Sequence, residues 1–132
     1  MHGTYTPKQT VEYEKRVRLA YMEQAGPEFG ERALVLSVLV VKEPPKSASR
    51  AKRAAMLAGE ILPTVKPDFD NYAKVVSDAL NGIAWHDDAQ IVLGECLKVY
   101  GEQARLVAVI SDDVQAVKAR ADELLYVAGW CQ

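Results

Sequence analysis

Cysteine is scarce: the 132 residues include two, Cys96 and Cys131. Two cannot build a disulfide framework or a four-ligand zinc site, and they read as small buried apolar groups. Long apolar runs are lacking as well. The longest, Ala33 to Val41, is interrupted by Ser37 and falls well short of the roughly 20 residues that a membrane span needs. No basic flank followed by an apolar block opens the sequence, so no signal peptide is expected. The expected compartment is the reducing cytosol. Internal repeats and low-complexity linkers are also absent from the sequence. What is there is ordinary for a globular protein, with 49% apolar and 26% charged residues, which excludes disorder over the whole length. The length suits one domain with a real core.

Charge is unevenly placed beneath a net value of −2. Residues 1–60 carry ten Lys/Arg and seven Asp/Glu, whereas residues 61–132 carry six and eleven. A basic part and an acidic part can hold a polyanion and a cation respectively, although ordinary surface charge gives the same numbers.

The local signals order the chain. Thr6-Pro7-Lys8-Gln9 has the residues of a helix start. A helix follows over Val11 to Ala25, with Tyr13, Val17, Ala20 and Tyr21 on one stripe, and Gly26-Pro27 stops it. Residues 33–42 are valine-rich and predict a well-buried strand ended by Pro44-Pro45. Ser47-Ala48-Ser49 caps a short helix from Arg50 to Ala58, with Gly59 beyond it. Pro67-Asp68-Phe69-Asp70 opens a helix whose Tyr72, Val75, Val76, Ala79 and Leu80 face a core; Asn81-Gly82 ends it. Gln90 to Tyr100 predicts a strand with Ile91, Leu93, Leu97 and Val99 on one face. Gly101-Glu102 then predicts a hairpin turn into a partner strand, Arg105 to Ile110. Ser111-Asp112-Asp113 caps a last helix with the stripe Val114, Val117, Ala121, Leu124, Leu125 and Ala128. The fold class expected is α+β: one domain over residues 1–132, with a small mixed or antiparallel sheet and three to four helices.

The stretch Lys66 to Gln90 holds five of the eighteen acids. Asp68 and Asp70 sit at a helix start, and Asp87 and Asp88 just before a strand. Packing of that helix on the strand can bring three or four carboxylates together. Like charges about 4 Å apart repel by several kcal/mol near a protein surface, so such a cluster needs a partner. Oxygen-only ligands select Mg²⁺, Mn²⁺ or Ca²⁺ over zinc. Mg²⁺ held by one or two carboxylates keeps room for a substrate phosphate, which serves phosphodiester hydrolysis. Lys74 lies one turn after Asp70 and can meet the phosphate; Asp78, a turn later, can pair with Lys74. Simpler readings stand beside these. Asp68 or Asp70 can be a plain N-cap, Asp70 and Lys74 a surface pair, and Asp87-Asp88 a solvated turn. His86 reads as a turn residue and Trp85 as core or interface. A basic segment, Lys42 to Arg53, includes Lys46, Arg50, Lys52 and Arg53. It suits a nucleic-acid backbone, or is a solvated loop and helix face.

At these residues the sequence resembles the RusA family of Holliday junction resolvases, common in bacteria and their prophages. The resemblance rests on Tyr5-Thr6-Pro7 with Thr10 and Tyr13-Glu14, and on Pro45-Lys46-Ser47 with Ser49 and Lys52-Arg53. Its core is Lys66-Pro67-Asp68-Phe69-Asp70-Asn71, Lys74, Asp78 to Gly82 and Asp87 to Ile91, with Lys98 following. It implies a homodimeric, Mg²⁺-dependent endonuclease, with Mn²⁺ as a possible substitute. Such an enzyme nicks two opposing strands of a four-way DNA junction in recombination and repair. It also implies that Asp68, Asp70 and Asp88 are the catalytic, metal-holding acids, that Lys74 is the catalytic lysine, and that Asp87 is the less secure member of its pair. Lys46, Arg50, Lys52, Arg53 and Lys98 are the candidate DNA contacts. Relatives begin with an extra strand and an Arg/Pro-rich segment before Tyr-Thr-Pro; here Met1-His2-Gly3-Thr4 stands first, so that strand is expected to be missing. Three other readings stay open: a catalytically impaired junction-binding protein, a metal-dependent nucleotide phosphohydrolase, and a carboxylate-rich structural dimer without a ligand.

Overall fold

The structure, a computed structural model, describes residues 7–24 and 28–129. Thr6, Gly26-Pro27, His2 and Cys131 lie outside the described residues. Among the described residues, four helices and three strands follow in the order α1 (Pro7–Glu23), β1 (Leu34–Lys42), α2 (Arg50–Leu57), α3 (Phe69–Leu80), β2 (Ile91–Tyr100), β3 (Arg105–Ser111) and α4 (Gln115–Ala128). A single 3-10 turn, Asp88–Gln90, precedes β2. The class is α+β with a mixed three-stranded sheet.

β1 takes the centre of the sheet, parallel to β2 on one side and antiparallel to β3 on the other. The reason lies in its side chains. Leu34, Leu36, Val38 and Val40 alternate onto one face and are all buried. They meet Val76, Ala79 and Leu80 of α3, with Ala84, Trp85 and Phe29 completing the core. Val17 and Tyr21 of α1 pack against the same cluster. Full burial of a side chain such as Leu or Val contributes about 1.5–3 kcal/mol, so the most apolar strand is favoured where it has neighbours on both edges and helices over one face.

Three expectations need correction. β2 and β3 do not form a hairpin, because β1 lies between them. Residues 101–104 instead cross the end of β1, where Gly101 N–H donates to the Lys42 carbonyl at 2.9 Å and Ala104 N–H to the Glu43 carboxylate at 3.2 Å. A turn signal fixes the reversal of the chain and leaves open which strand fills the gap. Next, Ile91 does not share a face with Leu93, Leu97 and Val99. The register slips at Val92, so that Leu34 pairs with Ile91 while Val35 pairs with Leu93. An extra residue turns the later side chains over. Ile91 and Cys96 consequently face the core, and Leu97 is left 48% exposed on the other face. Finally, the apolar stripe of α4 contributes no buried residue: Leu124 is 53% and Leu125 69% exposed.

The start of α2 agrees with the sequence, whereas the N-cap of α4 is Val114, without a side-chain cap bond, and Asp113 Oδ1 of the expected Ser111-Asp112-Asp113 cap accepts from Gln115 N–H at 3.2 Å. Ser49 Oγ accepts from Lys52 N–H at 3.2 Å and caps α2. Gly82, at φ +80°, adopts the left-handed turn that follows α3.

Candidate metal and DNA site

Asp68 and Asp70 mark the start of α3, with Asp68 as its N-cap and Asp70 in the first turn. An N-cap aspartate usually accepts from the helix's free N–H groups, but Asp68 makes no such bond. Its carboxylate, 54% exposed, pairs instead with Lys66 Nζ at 3.3 Å. The plain-cap reading of Asp68 is therefore not what the side chain does. Two oxygen-bearing side chains stand at one helix start, close to solvent, which fits a hard cation that keeps most of its waters. Lys74, one turn on, is exposed and pairs with Asp78 at 3.4 Å. An exposed i,i+4 pair of this kind is weak, so the ammonium is free to exchange partners.

Asp87 and Asp88 divide their labour. Asp87 caps the 3-10 turn, its Oδ1 accepting from Ala89 N–H at 3.1 Å. Gln90 closes the capping box by accepting from the N–H groups of His86 and Asp87, both at 2.8 Å. The Gln90 amide also donates to the carbonyls of Gly30 and Arg32 at 2.9 and 2.8 Å, tying the turn to the approach of β1. His86 is an exposed turn residue, as expected. Asp88 is half-buried and accepts at Oδ1 from Trp85 Nε1 at 2.8 Å. Trp85 is 1% exposed, so a core indole orients the carboxylate. The Asp87-x-x-Gln90 pattern was a legible capping box; nothing local announced the indole.

The two acid groups do not meet within one chain. Asp68 and Asp70 lie where α3 begins, and Asp88 follows its end, so 12 residues of helix, about 18 Å at the helical rise, stand between them. The sheet gives the same answer. Lys98, near the end of β2, reaches the segment before Asp68, whereas Asp88 precedes the start of β2. Among the described residues no three His, Cys, Asp or Glu side chains are grouped to hold a metal ion.

The basic segment leaves the sheet at the same end as Asp68 and Asp70. β1 ends at Lys42, whose Nζ donates to the Lys66 carbonyl at 3.2 Å, and Lys46, Arg50, Lys52 and Arg53 follow with exposed side chains. Lys98 differs from them. It is half-buried, and its Nζ donates to the carbonyls of Val65 and Pro67 at 2.6 and 3.1 Å. Beneath it, burial pushes the Cys96 thiol above its ordinary range, with the Lys98 charge pulling the other way. The Tyr72 phenol is raised by burial and then by Cys96. These neighbours remain neutral and form no second charged centre.

A family model described as "Endodeoxyribonuclease RusA" matches residues 1–111. The chain is 40% identical over 79 residues to the uncharacterized protein YqaN of Bacillus subtilis (strain 168), a match covering 58% of this chain and 56% of that protein. The chain thus spans little more than half the length of this relative. No solved structure matches.

Proposed function

The chain belongs to the RusA endodeoxyribonuclease family, and from that premise we propose that it is a Mg²⁺-dependent endonuclease that resolves four-way DNA junctions by paired nicks. Nucleases of this family are generally dependent on divalent metals. The observation that carries the reading is the helix start where Asp68 leaves its own N–H groups uncapped beside Asp70, at the same end of the sheet as the basic segment. Asp68 and Asp70 would hold the ion, with Mn²⁺ a suitable substitute. When bound, it supplies charge stabilisation at the phosphoryl oxygens and lowers the pKa of a water. Lys74 exchanges Asp78 for the scissile phosphate, and Lys46, Arg50, Lys52 and Arg53 hold the flanking backbone.

Asp88 joins this group from a second subunit. The distance along α3 prevents Asp88 of the same chain from sharing an ion whose bonds are about 2.1 Å long, whereas a two-fold dimer brings unlike ends of two copies together twice. The exposed apolar stripe of α4 supports association, since it has no core to enter in its own chain. Two equivalent sites then suit two opposing strands of a junction.

Asp70→Asn tests the acid role. Cleavage of a synthetic junction in Mg²⁺ is expected to be lost, while junction binding in gel shifts stays within about twofold, because a charge that holds metal is removed and no basic contact is touched. Undiminished nicking refutes the assignment. The separation of Asp88 from Asp70 also suits a junction-binding protein that does not cut; paired nicks by the unaltered protein exclude that reading.

A further inference from the structure

Three successive carbonyls precede the acid-bearing start of α3, and two lysines hold them. Lys98 Nζ donates to the carbonyls of Val65 and Pro67, at 2.6 and 3.1 Å. Lys42 Nζ donates to that of Lys66, between them, at 3.2 Å. The lysines come from the ends of neighbouring parallel strands, β2 and β1. Residues 65–67 belong to no helix or strand and are exposed, so they have few other means of staying in place. Lys98 lies opposite Val40, on the core-facing side of the sheet, where its apolar stem can pack while its head reaches the segment above.

We propose that Lys98, assisted by Lys42, is a positioning residue for the metal-holding acids. Its ammonium fixes the peptide planes of residues 65–67, and these set the direction in which the chain enters α3 at Asp68. Asp68 has no cap bond of its own to fix its carboxylate, so its aim depends on the segment before it. Hydrogen bonds from a charged donor are roughly twice as strong as neutral ones, and outer partners of metal ligands are worth about 10–100-fold in metal affinity. This inference rests on the metal role proposed for Asp68 and Asp70. It also assigns Lys98 to these carbonyls instead of to the DNA backbone.

The sign of the effect distinguishes three roles for Lys98. A positive charge beside a cation site repels the cation, so if Lys98 acts only through its field, removing it tightens metal binding. If Lys98 contacts DNA, removing it weakens junction binding without metal and lowers the salt slope by about one unit. If it positions the acids, removing it weakens metal binding and leaves metal-free junction binding alone.

The experiment uses full-length protein bearing Lys98→Met, which keeps the stem and loses the head. Mn²⁺ binding is followed by calorimetry, and junction binding without metal at several salt concentrations. The expected result is Mn²⁺ affinity down by about tenfold or more, a matching rise in the Mg²⁺ needed for half-maximal cleavage, and an unchanged junction affinity and salt slope. Lys98→Arg, which retains a charged donor, is expected to recover most of the loss. Lys42→Met is expected to move metal affinity the same way by less, and it carries the test alone if Lys98→Met does not fold. Unchanged or tighter Mn²⁺ binding in the Met variants overturns the inference while leaving the metal reading intact. A reduced salt slope overturns it in favour of DNA contact. Absence of Mn²⁺ binding by the unaltered protein removes both the inference and the metal reading.

Discussion

At the scale of single residues, the candidate site contains groups whose side chains do unlike work in adjacent positions. Asp87 is consumed by its capping box, and Asp88 is aimed by the Trp85 indole. Trp85 thus has two functions, core packing and orientation, which a substitution can separate. Trp85→Phe keeps an aromatic ring in the core and removes the donor to Asp88. Cleavage is expected to fall by roughly ten- to a hundredfold, because a small misplacement of a reacting group is costly, while metal-free junction binding stays unchanged. Single-turnover rates beside gel-shift affinities check this, and a full rate in Trp85→Phe would show that the hydrogen bond is dispensable. The candidate acids were conspicuous in the sequence because carboxylates repel and their spacing is unusual, but their separation by α3 was not legible. Their outer partners were not, because Lys98 and Trp85 reach carbonyls and carboxylates through tertiary folding that no local pattern encodes.

Elements were legible where a local rule determines them. The 3.6-residue stripe of α3, the valine-rich β1 and the Ser49 cap of α2 each carry their own signal, and the structure has all three. Pairing is a property of the assembled sheet, and there the turn residues misled. Gly101-Glu102 suits a hairpin and also suits a short crossing over β1. The glycine itself points to the crossing: a Cβ at Gly101 would stand 2.5 Å from Val41 Cγ1, a collision with the central strand. Gly101→Ala is therefore expected to destabilise the fold by about 1–3 kcal/mol, the usual cost of overpacking, read as a lower urea midpoint with an unchanged slope. A midpoint equal to that of the unaltered protein would show that Val41 moves aside freely. The slip at Val92 was illegible for a related reason. Alternation in sequence assumes one uninterrupted register, and one extra residue reverses the faces beyond it.

At the scale of the whole molecule, the question is whether one chain suffices. α3 holds the two acid groups apart like a strut, with Asp70 at its start and Asp88 beyond its end. If each site takes Asp68 and Asp70 from one subunit and Asp88 from the other, inactive variants can complement one another. A dimer of one Asp70→Asn chain and one Asp88→Asn chain then has one site with both lesions and one site with none. If all three acids act within a chain, both sites of that mixed dimer carry a lesion. Mixing the two purified variants under conditions that permit subunit exchange is expected to restore nicking, where each variant alone has none. The restored activity is expected to cut one strand per bound junction, since a single intact site faces two opposing strands, and to reach about a quarter of the unaltered per-site capacity when exchange is statistical, because half of the dimers are mixed and each of those has one intact site of its two. Two nicks in one junction from the mixture, or none at all while exchange is verified by differently tagged chains, would contradict the shared site. The outcome bears on the fold as well, because a shared site would give the exposed stripe of α4 a reason to stay apolar, as surface for the proposed second copy to cover.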